Sequence, residues 1–325
     1  MTRYLARRLA FAIVLVATVS SASFVLARLA PGDYVTGTLG THVSSEVIAR
    51  ERARLGLDKS LAQQYRDWAA AAVRLDFGRS MLYDRPVADL IPERAANTAI
   101  LAFAALALAT MIGIPLGIVA ATRRGGVVAP MIRTGSIVLV SMPPLLTSLA
   151  LVFIAARTGW FPIAGMRSST AVEDGALLDL LRHLVVPALA IALPLAATLE
   201  RLQAQSMSET IAQPFVLAAA ARGLPRARVV WRGALKAALR PIAAMYGLMI
   251  GTLLSGSFAV EVITAWPGLG TLMLQALRAR DIYLVAGCAG AGALFLAFGT
   301  MVSDVGLALV DPRARERQDP IEAAA

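Results

Sequence analysis

The side chains here that could do chemistry are few and scattered. His42 and His183 are the two histidines, and neither has a second His or a carboxylate at zinc-ligand spacing beside it, which argues against a metal site. The single Cys288 lies inside an apolar run, so an intramolecular disulfide and a cysteine-rich metal cluster are both excluded. Lys59 and Lys236 stand outside any Gly-rich loop of phosphate-cradling spacing, so the chain is not expected to hydrolyse ATP by itself. No serine sits in a nucleophile elbow, and His183 reads equally well as a helix-cap residue at a membrane interface. The acids within or beside apolar stretches are Glu200, Glu261 and Asp304. All fall near the ends of those stretches, where an interfacial role is favoured over ion coupling, and Glu200 is followed by Arg201 as a candidate local ion pair. The energy for any transport would then come from outside this chain.

One stretch concentrates charge. Residues 215–241 read FVLAAAARGLPRARVVWRGALKAALRP, and between Glu200 and Arg240 there are seven cations (Arg201, Arg222, Arg226, Arg228, Arg232, Lys236, Arg240) against two acids, Glu200 and Glu209. Gly223 suits a left-handed helix end, and Pro225 suits the first turn of a following helix. Ala227, Val230, Trp231, Ala234 and Leu235 recur at helical spacing with the cations around them, which predicts a short amphipathic helix. Such a helix can dock on a protein partner or lie on anionic lipid, and these residues alone favour neither.

The elements that must position this stretch follow from composition. Of the 325 residues 58% are hydrophobic and 16% charged, and the mean hydropathy is +0.67, which indicates a membrane protein. The net charge of +10 does not indicate a nucleic-acid partner, because the basic residues flank apolar runs instead of lining one face with interleaved aromatics. Six apolar runs of membrane length are expected, at about 9–29, 98–121, 135–156, 184–204, 241–262 and 285–310. Residues 1–8 precede the first, 205–240 form the basic loop, and 311–325 form a tail. The first run can also be read as a cleaved signal peptide, because Arg3, Arg7 and Arg8 precede it and small residues occur at 20–23. Its apolar character resumes at Phe24, Val25 and Leu26, as an uncleaved anchor would.

Counting cations by side places both termini and the 205–240 loop in the cytoplasm, with Arg157, Arg167, Arg182, Arg278 and Arg280 on the other side. Residues 30–97 then form a long extracytoplasmic segment with nine acids and nine bases, beyond the length over which the positive-inside rule acts. Helix-spaced Ile48, Leu55, Tyr65 and Trp68 predict small packed helices there; a solvated spacer is the alternative. Small residues four apart (Gly113 and Gly117, Gly247 and Gly251, Gly287 and Ala291) permit close helix contact. Pro115, Pro143, Pro144, Pro187 and Pro194 can bend the spans they fall in.

The basic stretch resembles the signature loop of ABC-transporter permeases, in the variant of the dipeptide, oligopeptide and nickel importers. Further similarities run along nearly the whole chain: MTRYLARRL at the start, LGLDKSLAQQYRDW, DFGRSM, TGWFPIAGM, EVITAWPGLG and LVDPRAR near the end. The resemblance implies an all-α membrane protein of six transmembrane helices, the type I importer permease fold with an enlarged extracytoplasmic segment after the first helix. It implies a second homologous permease, two ATPase subunits that bind ATP and Mg, an extracytoplasmic substrate-binding protein, and the bacterial or archaeal plasma membrane. No cofactor or catalytic residue is implied for this chain itself.

By position, Ala218 and Ala219 fill the family's paired alanines, Gly223 its glycine, residues 224–236 its coupling helix and Pro241 its closing proline. Leu217 departs from the glutamate of the broader importer pattern. Leu224, Pro225, Arg222, Arg226, Arg228 and Arg232 are then expected to orient docking on an ATPase, with Trp231 or Val230 as the apolar anchor. Glu261, Trp266, Pro267, Gly268, Leu269 and Gly270 resemble the loop between helices five and six. They are expected to form the outer gate or a binding-protein contact, with a rigid turn capping two helices as the alternative. A secondary carrier working without ATPases and a membrane-anchored assembly protein without transport are the rival classes. The sequence does not choose among dipeptides, longer peptides, nickel chelates, glutathione or sugars.

Overall fold

A computed structural model describes residues 2–39, 44–123, 126–168 and 175–310. His42, Arg124 and the 311–325 tail with Arg313, Arg315 and Arg317 lie outside these residues, as do the side chains of Arg226, Arg232 and Asp304. An apolar medium offers no water to unpaired backbone groups, so helices are the natural solution for such a sequence. The described residues are mostly helical and contain no strand; one isolated bridge joins Arg79 to Pro86.

The helices are α1 (Thr2–Leu29), α2 (Tyr34–Leu39), α3 (Ser45–Arg54), α4 (Leu61–Ala72), α5 (Val87–Thr122), α6 (Val128–Ser141), α7 (Pro144–Thr158) and α8 (Ala176–Ile211). After them come α9 (Pro214–Ala221), α10 (Arg226–Arg228), a π-helical turn (Val229–Ala234), α11 (Leu235–Ala238), α12 (Arg240–Gly256), α13 (Phe258–Ile263), α14 (Leu269–Ala279) and α15 (Ile282–Val310). Four helices are long and apolar enough to cross a membrane (within α1, α5, α8 and α15), and α6 with α7 supplies a fifth if that bent pair is one span.

Two expected runs are interrupted. The 135–156 run breaks between α6 and α7 with a bend of 105°. The cause is the Pro143–Pro144 tandem: a residue before proline is pushed out of the helical region. Met142 (ψ 118°) and Pro143 (ψ 142°) are accordingly extended, and Pro144 starts the next helix at its first turn. The 241–262 run divides into α12 and α13 around Ser257. At 17 residues α12 is about 26 Å long, slightly short of an apolar core of about 30 Å. Pro187 and Pro194, by contrast, lie inside an uninterrupted α8.

The chain divides into two compact units, one of residues 1–100 and 254–298, the other of 101–253 and 299 onward. In the first unit, Phe24 of α1 stacks on Trp68 of α4 (ring centroids 4.9 Å, planes 22° apart), and Tyr65 meets the same ring edge-on. Val35, Leu57, Met81, Ile282 and Ala286 complete this core, with Ile48, Leu55 and Tyr65 packed on it. Residues 45–72 are therefore packed helices, and the solvated-spacer alternative fails. Ser60 and Gln63 form a reciprocal capping box that starts α4. Arg28 at the end of α1 donates to Gln64 Oε1 and Leu57 O, each at 3.1 Å, and Tyr65 Oη donates to Ser21 Oγ at 2.9 Å.

Asp33 closes the turn after α1. Its Oδ1 accepts the Thr36 N–H (2.9 Å) and hydroxyl (2.8 Å), and its Oδ2 accepts Arg52 Nε–H at 2.6 Å. Burial pushes the carboxyl up, but the Thr36 and Arg52 donors together outweigh it and hold it below its ordinary range. A depressed carboxyl stabilises the fold above its unfolded value of about 4, and that contribution is lost as pH falls through the folded value. Amide-exchange protection in α2 and α3 should therefore drop as pH falls from about 5 to 3, and Asp33→Asn should flatten that response. An equal pH response in both proteins would contradict this assignment.

In the second unit, glycines let helices touch backbone to backbone. A Cβ on Gly113 would lie 2.5 Å from Ala196 O and 2.8 Å from Leu199 Cβ; one on Gly117 would lie 2.6 Å from both Glu200 O and Gln203 Cβ. The α5–α8 contact is thus closed at both positions. Gly299 of α15 meets Gly251 and Gly247 of α12 with no room for a methyl group either. Gly117→Ala should cost about 1–3 kcal/mol, read as a lowered midpoint of unfolding in detergent. Gly135→Ala on α6, where no atom lies within 4 Å, should leave the midpoint unchanged or raise it slightly.

Candidate functional site

The basic stretch folds as two short helical pieces around a glycine turn. Gln213 is extended and Pro214 opens α9, which ends when Arg222 and Gly223 donate to Ala218 O and Ala220 O. Gly223 has φ +79°, a conformation that side-chain-bearing residues rarely adopt. The chain turns helical again after Pro225, widening into the π-helical turn before α11.

One side of this hairpin is anchored. Val216, Val229, Ala234 and Ala238 are buried against Ile118 near the end of α5 and Met207 near the end of α8, with Ala219, Val230 and Leu235 packed at the margin. Ser206 Oγ also donates to Ala238 O at 2.8 Å. The opposite side is free: Trp231 is 56% exposed, and Phe215, Leu217, Ala218, Arg222, Leu224, Pro225 and Arg228 are exposed with it. The sequence spacing had grouped Trp231 with Ala234 and Leu235 on one stripe. The π-helical turn separates them, because its wider i→i+5 winding breaks the 3.6-residue spacing on which that grouping rests. Val230, half-buried at the core margin, is tied to the anchored side; Trp231 alone of the two is presented outward.

The second predicted group, in the other unit, is a buried joint. Glu261 is fully buried: Oε1 accepts the hydroxyls of Thr98 and Ser257 (both 2.7 Å), and Oε2 accepts the Gly270 N–H at 2.7 Å. Thr98 Oγ1 in turn accepts the Leu269 N–H at 2.9 Å. Trp266 is also fully buried and donates Nε1–H to Asn97 O, while Asn97 Nδ2 donates to Pro267 O, both at 2.9 Å. A side chain on Gly270 would fall 2.7 Å from Phe258 Cα and 2.8 Å from Glu261 Oε2, so the loop needs glycine there. Of the six predicted residues only Pro267 is partly exposed; the loop is bolted to Asn97 and Thr98 of α5.

Sequence reading missed two further buried acids. Asp281 accepts from Ser80 Oγ (2.6 Å), Leu82 N (3.0 Å) and Leu284 N (3.1 Å), so it caps α15 and holds the DFGRSM turn, whose Gly78 (φ +89°) lies under Tyr283. Asp179 accepts the Ser168 N–H and hydroxyl and stands 3.3 Å from His183 Nδ1. This corrects the reading that no carboxylate stands at ligand spacing beside His183: Asp179 lies four residues before it, and that spacing was the available signal. Among the described residues no three His, Cys, Asp or Glu side chains converge as a metal site would require. The expected Glu200–Arg201 ion pair is also not formed, since both Glu200 oxygens are buried without a hydrogen-bond partner. Neighbouring residues on a helix point in different directions.

These features define a multi-pass helical membrane protein with an exposed, cation-flanked hairpin. Residues 113–316 match the family described as binding-protein-dependent transport system inner membrane component, and residues 1–102 match the N-terminal region of such membrane components. The chain belongs to this family, the inner-membrane permeases of peptide-type ABC transporters. It is 31% identical over 315 residues to the oligopeptide transport system permease protein AppB of Bacillus subtilis, covering 96% of this chain and 99% of that one. To the di/tripeptide transport system permease protein DppB of Pseudomonas aeruginosa it is 32% identical over 336 residues, covering 98% and 100%. The family is a non-catalytic membrane component of transport systems.

Glu261→Ala would strand the Thr98 and Ser257 hydroxyls and the Gly270 N–H. The expected cost is on the order of 3 kcal/mol, seen as a lower unfolding midpoint and a red shift of tryptophan emission as Trp266 is wetted. Glu261→Gln, which keeps the shape, should lose about half as much.

Proposed function

We propose that this chain is one half of the translocation pathway of an ATP-driven importer of peptides. Six spans carry it across the membrane, counting the bent α6–α7 pair and α12 as one each. Both termini (residues 1–8 and 311–325) and the 205–240 loop face the cytoplasm, and residues 30–97 face outward. A second, homologous permease completes the pathway, two ATPase subunits bind ATP and Mg, and an extracytoplasmic binding protein delivers the substrate. The names of the relatives support peptides over nickel.

The observation that carries the reading is the two-sided build of the hairpin. Its inner side is fastened to the ends of α5 and α8, so force on its outer side is transmitted to two spanning helices. Its outer side offers Trp231 as an apolar anchor with Arg222 and Arg228 exposed on the same hairpin, and the charge of the stretch, to which Arg226 and Arg232 also contribute, steers an acidic groove toward it. Ala218 keeps the exposed face of α9 low enough for a partner to approach, Ala219 lets α9 seat closely on its anchored side, and Gly223 sets the angle between α9 and the coupling helix. ATP-driven closure of the two ATPases moves this hairpin, and the spans alternate access. On the outer side the Glu261–Gly270 joint acts as a stiff part of the outer gate, with Trp266 as its internal bolt.

Trp231→Ala should lower substrate-stimulated ATPase activity of the reconstituted complex by about tenfold or more, the scale of a lost interfacial anchor, with assembly of the four subunits retained. Gly223→Val should act in the same direction by straining the turn. Intact stimulation in both variants would refute the coupling role.

A further inference from the structure

We infer that Glu200 of α8 is the state-dependent ion-pair partner of Arg133 of α6, open in this conformation and closed in another state of the transport cycle. The inference rests on the reading of the chain as half of an ATP-driven transporter. Its starting point is an imbalance. Glu261 and Asp281 are as buried as Glu200, and each is saturated with donors. Glu200 is 1% exposed and neither oxygen has a partner; Gln203, one turn further on, is also buried with both amide atoms unpartnered. A buried carboxylate without a partner is strongly unfavourable, so a state that supplies one gains over this arrangement.

The surroundings name the partner. Glu200 cannot easily move, because its backbone is pressed against Gly117 of α5. Beside it lies a cavity of about 280 Å³ lined by Arg133, Ile137, Glu200, Arg201, Ala204 and Gln205, together with Ser208. Arg201 lines the cavity too, but it follows Glu200 directly on the helix and makes no hydrogen bond to it. Arg133 enters the same cavity from α6 and is held weakly: its Nη2 donates at 3.3 Å to Ala120 O, a carbonyl in the last turn of α5. Helix ends leave such carbonyls free and attract cations, so this is one resting place for the guanidinium. The Glu200 carboxylate is the other and the stronger, since charge-assisted bonds exceed those to a neutral carbonyl. Two acceptors share one mobile cation across a cavity with room for the swing, which makes the α6–α8 contact a two-position latch.

The test uses the full reconstituted complex. Spin labels at 137 and 205, both exposed positions lining the cavity, leave Glu200 and Arg133 in place and should show an inter-label distance that shortens in one nucleotide state. Glu200→Gln and Arg133→Gln should each change the ratio of substrate-stimulated to basal ATPase activity about fivefold or more, the double variant should be no worse than either, and the charge exchange Glu200→Arg with Arg133→Glu should restore at least half. Additive effects and no recovery on exchange would overturn the latch. If the exchanged protein does not fold, the distance measurement decides: an unchanged distance in every nucleotide state overturns the latch while leaving the importer reading intact. A wild-type complex with no substrate-stimulated ATPase activity would overturn both.

Discussion

The cost of leaving a polar group unpaired in an apolar medium decides the layout of this chain. It forces the backbone into helices, and it dictates where a charge is tolerated. Glu261 and Asp281 are buried because each collects donors from residues far away in the sequence. They thereby become joints: Glu261 ties α13 and α14 to Thr98, and Asp281 ties the start of α15 to the Ser80 turn. In the 215–241 stretch, by contrast, Arg222 and Arg228 stay exposed.

The second consequence is a division between what is fixed and what can shift. Where glycines meet backbone, as at Gly113, Gly117 and Gly299, the contact has one possible distance. Where a cavity and unpartnered polar atoms occur together, as beside Glu200, two arrangements are open. The proposed coupling hairpin sits at the ends of α5 and α8, the helices that carry the Gly117 contact. On the proposed reading, motion received there passes through that seam toward the cavity beside Glu200.

Much of this was legible in the sequence, and the exceptions have physical causes. Apolar length alone located α1, α5, α8 and α15, because nothing in those runs opposes a helix strongly enough to break it. The Pro143–Pro144 tandem was visible as a bending risk, but the 105° outcome depends on both prolines acting at one point. The left-handed turn at Gly223 could be read from Gly with Pro225 two residues later. The π-helical turn after it could not, since it depends on Val229 and Ala234 both reaching the Ile118 and Met207 surface. The partners of Glu261 and Asp281 were invisible because spacing reports neighbours on one helix and says nothing of a hydroxyl some 200 residues away. Adjacency also misled: Glu200 and Arg201 are consecutive and do not pair.

The central claim, that the Trp231 side of the hairpin is a docking surface for an ATPase, is tested most directly by contact. A photo-crosslinking residue at position 231 of the membrane-embedded complex should give adducts with the ATPase subunit whose yield depends on the nucleotide state. The same residue at Leu294, exposed on a spanning helix, should give lipid adducts. Lipid adducts alone from position 231, in every nucleotide state, would contradict the account.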